Sequence, residues 1–437
     1  MINKTKQKCQ RLPFSTLLIY TLYQTIFPFF VIYGLLIALK RSLKEPSHLK
    51  RLSDRFGLGP IGEKGAIWIY AASLGEMNAA RPLVQVFLDN GHYILLTHLS
   101  PAGLEAGQKF FGDNPKVTHR YMPLDFFLLI QLFLRRSRPS CGIVLEVEIW
   151  PSMLMEADRL GVPMYLANGN LPAVALPRLD TLGRHRLYMF RLFDHILTRT
   201  ENYADHYKAT GVQSKDITVT GDLRFDIKQN VNLIKKGQSL RKAWAKKSFN
   251  FMLASSVQAE EDILIKCCAQ LLKKAPKIRI IWVPRSPQRF EAVNRKVIKA
   301  GISSMRRSEL VDDIKLDAQI FIGDSLGEMD LYLGLADIVF VGASFIDGGG
   351  HNIIEPLKAG CPVVMGYSTL GVDFIAEEAT QVGVFHKFQS PQRMVEFLLE
   401  LSQKPSKVEK MQASATAFAS VNKSVAEQCY KVIMANN

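Results

Sequence analysis

The sequence contains no CxxC pair, no low-complexity tract, no internal repeat and no Asp-x-Asp near a candidate strand end. Each absence removes a class of protein. Its six cysteines (Cys9, Cys141, Cys267, Cys268, Cys361 and Cys429) stand singly or adjacent, so they spell out neither a zinc site nor a disulfide framework. Reduced, mostly buried thiols of a cytoplasmic protein are the expectation. Aromatic and basic residues are not interleaved and no nucleic-acid motif is present, which argues against a nucleic-acid partner. Disorder is equally excluded, because 48% of the residues are hydrophobic and only 22% charged. Acid is in short supply: 40 Asp and Glu stand against 55 Lys and Arg, a net charge of +15. That surplus points to anionic partners, either lipid headgroups or a phosphorylated substrate.

At 437 residues the chain is long enough for two domains. Before them, Phe14 to Leu39 runs for 26 residues without a charge, the length a spanning helix requires. Lys4, Lys6, Lys8 and Arg11 precede the run, and Lys40, Arg41, Lys44, Lys50, Arg51 and Arg55 follow it. The larger basic cluster on the C-terminal side places the bulk of the protein on the cytoplasmic face of an anionic membrane. No small-x-small cleavage site follows, so a signal peptide is disfavoured. Pro28, Gln24 and Thr25 interrupt the run, which leaves a single span and an in-plane anchor both open.

Beyond the anchor, short apolar runs alternate with amphipathic helical patterns. The first series is "AIWIYAAS", "YILLTHLS", "GIVLEVEIW", "VPMYLANG", "HILTRT" and "DITVTGD"; the second is "FMLASS", "IRIIWVP", "AQIFIGD", "DIVFVGAS", "CPVVMG" and "GVFHKF". This βα repetition predicts two α/β domains with parallel sheets and ligands at the C-terminal strand ends. The polar, basic stretch from Asp226 to Trp244 has little periodicity and is read as the linker, and one closing helix after Pro391 is positioned to cross back onto the first domain.

The chemistry-bearing residues fall at those strand ends. Glu76 in "AASLGEMNAARPLV" is a candidate general base, or else a carboxylate capping a helix start. "VLEVEIWPS" alternates Glu146 and Glu148 on one face of a strand, and buried acids there require a cation or a substrate hydroxyl. Arg224 in "TGDLRFD" and Arg285 in "WVPRSPQRF" offer planar forks for a phosphate or carboxylate. "GDSLGEMD" repeats a glycine-then-acid start with Leu326, Gly327 and Glu328. In "DGGGHNIIEP", Gly348, Gly349, Gly350 and His351 lie between a strand and a helix start. Glycines there let a ligand approach main-chain N–H groups, with Glu355 one turn in.

The ordered set "ASLGE", "EVEIWPS", "TGDLRFD", "VPRSPQRF", "GDSLGEM" and "GASFIDGGGHNIIEP", behind an N-terminal apolar segment, resembles the bacterial lipid A Kdo transferases, where Kdo is 3-deoxy-D-manno-octulosonic acid. The resemblance covers nearly the whole chain. It implies an α/β GT-B fold of two Rossmann-like domains facing a cleft, with an anchor over residues 1–45, an acceptor domain over 46–230 and a donor domain over 231–437. It also implies CMP-Kdo as donor substrate, a phosphorylated lipid A precursor as acceptor, no metal or other cofactor, and work at the cytoplasmic side of the bacterial inner membrane. Carried over, the base falls on Glu76, and charge-stabilising positions fall on Glu146 and Arg224. Contacts to CMP fall on Pro284, Arg285, Leu326, Gly327, Glu328, Asn352, Ile353, Ile354 and Glu355, with a donor loop at Gly348 to His351. Four places depart from the family pattern: "NGNLP" (Asn168 to Pro172), "ASSVQ" (Ala254 to Gln258), "GYSTLGV" (Gly366 to Val372) and Arg224 in place of Lys. The alternatives are a divergent relative with another nucleotide sugar or acceptor, and a non-catalytic lipid- or nucleotide-binding relative. Retention of Glu76, Arg285 and Glu355 argues against the latter.

Overall fold

The computed structural model describes residues 12–42, 51–245, 247–310, 318–422 and 424–437, with the side chains of 30 and 32–42 aside. Lys4, Lys6, Lys8, Cys9, Arg11, Lys44 and Lys50 lie outside the described residues, as do the side chains of Lys40 and Arg41. The chain divides into two compact units. The first ends at Ile227 and regains Ser424–Asn437, and the second is Lys228–Lys423.

The first unit is built on seven parallel strands: β1 (Ile67–Tyr70), β2 (Ile94–His98), β3 (Val117–Tyr121), β4 (Cys141–Leu145), β5 (Met164–Gly169), β6 (His195–Thr198) and β7 (Ile217–Val219). Their order is β3-β2-β1-β4-β5-β6-β7. All four residues of β1, Ile-Trp-Ile-Tyr, are buried, as expected of a parallel strand covered by helices on both faces. The helix Leu74–Asp89 follows because Ser73 caps it, and Met77, Ala80, Val84 and Phe87 recur at helical spacing on its buried face. Since β1 connects to β2 on one side while β4 lies on its other side, the sheet reverses direction between β1 and β4. Loops leaving those two strands diverge there, at the position where sheets of this order bind ligands.

The second unit repeats the plan with β8 (Asn250–Ser256), β9 (Arg279–Pro284), β10 (Ser304–Arg306), β11 (Ile320–Ile322), β12 (Ile338–Val341), β13 (Val363–Met365) and β14 (Phe385–Lys387). These are all parallel in the order β10-β11-β9-β8-β12-β13-β14, with the reversal between β8 and β12.

Two boundaries differ from the sequence reading. The stretch read as a linker is the helix Val231–Trp244, capped by the Asn230 side chain. Only Gly237 and Trp244 are buried in it, so it carries little apolar periodicity. It packs through its glycine instead: a Cβ on Gly237 would lie 2.1 Å from the Leu331 carbonyl oxygen, and one on Gly334 would lie 2.4 Å from that of Ile234. The second domain was expected to run to 437, but the final helix, Val425–Asn436, packs on the first unit, which is the crossing back that the sequence reading allowed for one closing helix. Asp226 holds its start, accepting from the Ser424 and Ala426 N–H groups at 2.8 and 2.7 Å, and Val425, Cys429 and Ile433 enter the core beside Leu83 and Phe87.

The N-terminal apolar segment is the helix Phe14–Ser42. Among the described residues, no helix is long and apolar enough to cross a membrane. The polar residues that break its pattern are used inside the protein. Gln24 donates to Ser152 Oγ at 2.7 Å and accepts from the Phe127 N–H at 3.0 Å, Tyr23 donates to Asp125 at 3.1 Å, and Thr16 meets His185 Nδ1 at 2.8 Å. The other face shows Phe14, Leu18, Leu22, Ile26 and Phe29 exposed at three- and four-residue spacing.

Candidate active site

In the first unit, Glu76 sits just past β1 at the third position of its helix, where it closes a capping box. Ser73 Oγ accepts from the Glu76 N–H at 3.3 Å, and Glu76 accepts from the Ser73 N–H at 3.0 Å. Glu76 thus meets the expectation of a carboxylate capping its helix, and it is also buried, at 8% exposed. Burial, followed by the neighbouring Glu148 and Glu146 carboxylates, pushes it up to about 7 against the hydrogen bond from Ser73. A carboxylate poised there is half ionised near neutrality, as general-base work requires.

Glu146 and Glu148 are not on a strand. β4 ends at Leu145, and Glu146 turns out of it at φ 64°, so the expected alternation stops and the two acids enter different surroundings. Glu148 accepts from Trp150 Nε1 at 2.7 Å and faces Glu76 electrostatically. Glu146 instead pairs with Arg199, which also reaches Asp222 through Nε at 3.3 Å. Asp222 in turn holds Arg224, with Nη2 at 2.6 Å. Acid and base thus alternate through Glu146, Arg199, Asp222 and Arg224. Although burial alone would raise it, Asp222 is held far below the usual carboxylate range by the two guanidiniums. Asn170, with its amide turned so that the oxygen faces Arg199, accepts from both Nη atoms at 3.1 Å. The structure joins Glu146 to Arg224 through two residues that sequence reasoning missed. Arg199 and Asp222 each follow a strand, so the strand-end rule that selected Arg224 was the signal available for both.

In the second unit, Pro284 ends β9 and is buried, while the Arg285 side chain is exposed. Arg285 lies near enough to His351 that its charge, after burial, helps lower that imidazole to about 4. His351 Nε2 is buried without a hydrogen-bond partner. Leu326 is 74% exposed beside Gly327, which has φ +78° and open space where a Cβ would stand. Glu328 does not cap its helix. It pairs with Arg307 at 2.9 Å and accepts from Ser325 at 2.5 Å, contacts that keep it below its ordinary value although burial opposes them.

The glycine loop differs in detail from expectation. The Gly349 N–H donates to Ser368 Oγ at 3.1 Å and the Gly350 N–H to the Ala343 carbonyl at 3.0 Å, so these two amides serve the loop itself. Both glycines have positive φ, and a Cβ on Gly349 would lie 2.6 Å from the Leu370 oxygen. The following helix is only Ile354–Lys358, with the Asn352 side chain accepting from the Ile354 N–H at 3.0 Å. A helix of that length contributes little dipole. Ile353 and Ile354 are buried and Glu355 is exposed. Also unforeseen was Glu260, which occupies the strand reversal and accepts from the Ala343 and Val257 N–H groups at 2.6 and 3.1 Å. It holds the loops after β8 and β12. The five described cysteines are buried and unpaired. Among the described residues, no group of three or more His, Cys, Asp or Glu gathers as a metal site.

A family model described as 3-deoxy-D-manno-octulosonic-acid transferase (kdotransferase) matches residues 50–227. The chain is 34% identical over 335 residues to the 3-deoxy-D-manno-octulosonic acid transferase of Haemophilus influenzae, covering 75% of this chain and 77% of that one. It is 31% identical over 364 residues to the protein of the same name from Bordetella pertussis, covering 82% and 84%. Among solved structures, the UDP-GlcNAc 2-epimerase of Neisseria meningitidis bound to UDP-GlcNAc is similar with a TM-score of 0.59 at 15% identity, over 84% of this chain and all of that one. That likeness is one of fold.

Proposed function

Since the chain belongs to the 3-deoxy-D-manno-octulosonic acid transferase family, a glycosyltransferase family of GT-B architecture, we propose that it transfers Kdo from CMP-Kdo to a phosphorylated lipid A precursor at the cytoplasmic face of the inner membrane. The observation that carries this reading is Glu76, a buried carboxylate at the strand reversal raised to about 7. In the proposed step Glu76 accepts the proton of an acceptor hydroxyl as its oxygen attacks the anomeric carbon of Kdo. The bond to the CMP phosphate oxygen breaks with inversion, and CMP leaves with the electron pair. Glu148 keeps Glu76 basic, and the Glu146–Arg199–Asp222–Arg224 network holds fixed charges beside it. The second unit takes the donor, with Arg285 toward the phosphate, the Leu326–Gly327 turn and the Asn352 to Glu355 segment around the nucleoside, and the glycine loop as their support. The exposed apolar face of the N-terminal helix rests on the membrane, and the basic residues that follow that helix in the sequence favour an anionic surface.

The test is transfer of Kdo from CMP-Kdo, generated in situ, to a tetraacyl lipid A precursor by the purified protein beside Glu76→Gln. Product from the wild type and a loss of about 100-fold or more in the variant are expected for a general base. A folded wild type that binds CMP but makes no product would remove the proposed substrates.

A further inference from the structure

The N-terminal helix is fastened to the first unit at two places, Thr16 to His185 and Gln24 to Ser152 and Phe127. The eight residue steps from one tie to the other advance about 12 Å along the helix. Over that length Ile19, Tyr20 and Tyr23 line one side of a cavity of about 440 Å³, although Tyr20 and Tyr23 also pack on the unit's core. Its far wall is Leu182, Arg186 and Met189, and its floor is Ile149, Trp150 and Pro151. The volume is that of a small-molecule site, and a mostly apolar lining gives water few partners.

The residues in and around the lining identify the occupant. Outside, the cavity is bordered by Leu182, 78% exposed, with Val174, 79% exposed, on the same segment and the apolar face of Phe14, Leu18 and Leu22 on the other side of the roofing helix. The segment 173–187 carries Arg178, Arg184 and Arg186, the last in the cavity lining, against a single acid, Asp180, so its charge suits phosphate. Trp150, also in the lining, donates to Glu148, whose charge acts on Glu76. A mostly apolar slot that has Arg186 and the exposed Leu182 in its lining, and also Trp150, the donor to Glu148, fits an acylated and phosphorylated amphiphile. We propose that this cavity receives an acyl chain of the acceptor lipid, with the N-terminal helix as its roof, so that the helix is a substrate-binding element of the enzyme as well as a membrane contact. The inference rests on the acceptor reading above.

The experiment uses the full-length protein in detergent and two substitutions, Leu182→Glu at the exposed mouth and Ile19→Phe in the roof. The acceptors are a tetraacyl bisphosphorylated glucosamine disaccharide and the same disaccharide stripped of its acyl chains. Each substitution is expected to lower the ratio of kcat/KM for the acylated over the deacylated acceptor by about tenfold, mainly through KM, as displacing a few methylenes from an apolar site does. A ratio that stays at the wild-type value in both variants overturns the proposal. A second readout is independent of transfer: replacing dodecyl maltoside by its brominated counterpart should quench Trp150 in the wild type and less in both variants. Trp68 and Trp282 are fully buried and Trp244 is 6% exposed, which isolates the signal. If the wild type transfers no Kdo yet shows this quenching, the reaction assignment fails and the slot stands; no quenching in the wild type removes the slot.

Discussion

Glu76 carries its charge where burial and two other carboxylates disfavour it, so the same features that suit it to accept a proton should weaken the fold above neutral pH. Its folded value of about 7 lies above the ordinary 4.5. Between those values the folded chain keeps a proton that the unfolded chain has lost, so the stability tied to this group is complete below pH 4.5 and is lost as pH rises to 7. At about 1.4 kcal/mol per pH unit, the loss comes to about 3 kcal/mol. Glu76→Gln removes the charge, and its amide oxygen can still accept from the Ser73 N–H in the capping box. The variant should therefore be more stable at pH 8, with the first unit melting about 5–10 °C higher, and show little difference at pH 5. Differential scanning calorimetry at the two pH values measures this directly. No gain at pH 8, or an equal gain at both, would refute the electrostatic reasoning.

Other substitutions probe the parts separately. Glu148→Gln keeps an acceptor for Trp150 but removes a charge near Glu76, so the acid limb of the pH–rate profile should move down by about half to one pH unit, less than burial itself contributes. Arg199→Met strips Glu146 of its buried cation and should cost about 3–5 kcal/mol in urea unfolding. Gln24→Leu leaves the Phe127 N–H unsatisfied at the helix contact; a loss of about 1–3 kcal/mol and faster proteolysis near the N-terminus are expected. Gly349→Ala forces a Cβ against the Leu370 carbonyl at positive φ, and calorimetry should show weakened CMP binding together with a loss of about 1–2 kcal/mol.

Most of the architecture was legible because parallel strands buried on both faces read as unbroken apolar runs. Twelve strands overlap the runs read from the sequence, although Ile217–Val219 and Phe385–Lys387 are only partly buried. β3 was invisible for a physical reason. Val-Thr-His-Arg-Tyr is a polar string whose Arg120 is nonetheless fully buried, satisfied by the carbonyls of Pro60 and Asp54 at 2.9 and 2.8 Å. Such distant partners leave no local signature. β10 has only three half-buried residues and little pattern to show. In the site, Glu76 was legible from its place after a strand. Its elevated proton affinity was not, because Glu148 approaches it from a loop some seventy residues away that the sequence reading treated as strand. Arg199 and Asp222 escaped because a charged residue after a strand looks the same whether it faces solvent or another strand's acid. The glycine loop was found, but the use of two of its amides within the fold depends on Ser368 and Ala343.

The most direct test of the central claim is the pH dependence of kcat/KM for Kdo transfer from CMP-Kdo to the lipid A precursor. If Glu76 is the base, the rate should rise tenfold per pH unit below about 7 and level off above it, with that limb absent from the residual activity of Glu76→Gln. A limb that persists unchanged in the variant would assign the proton transfer to another group.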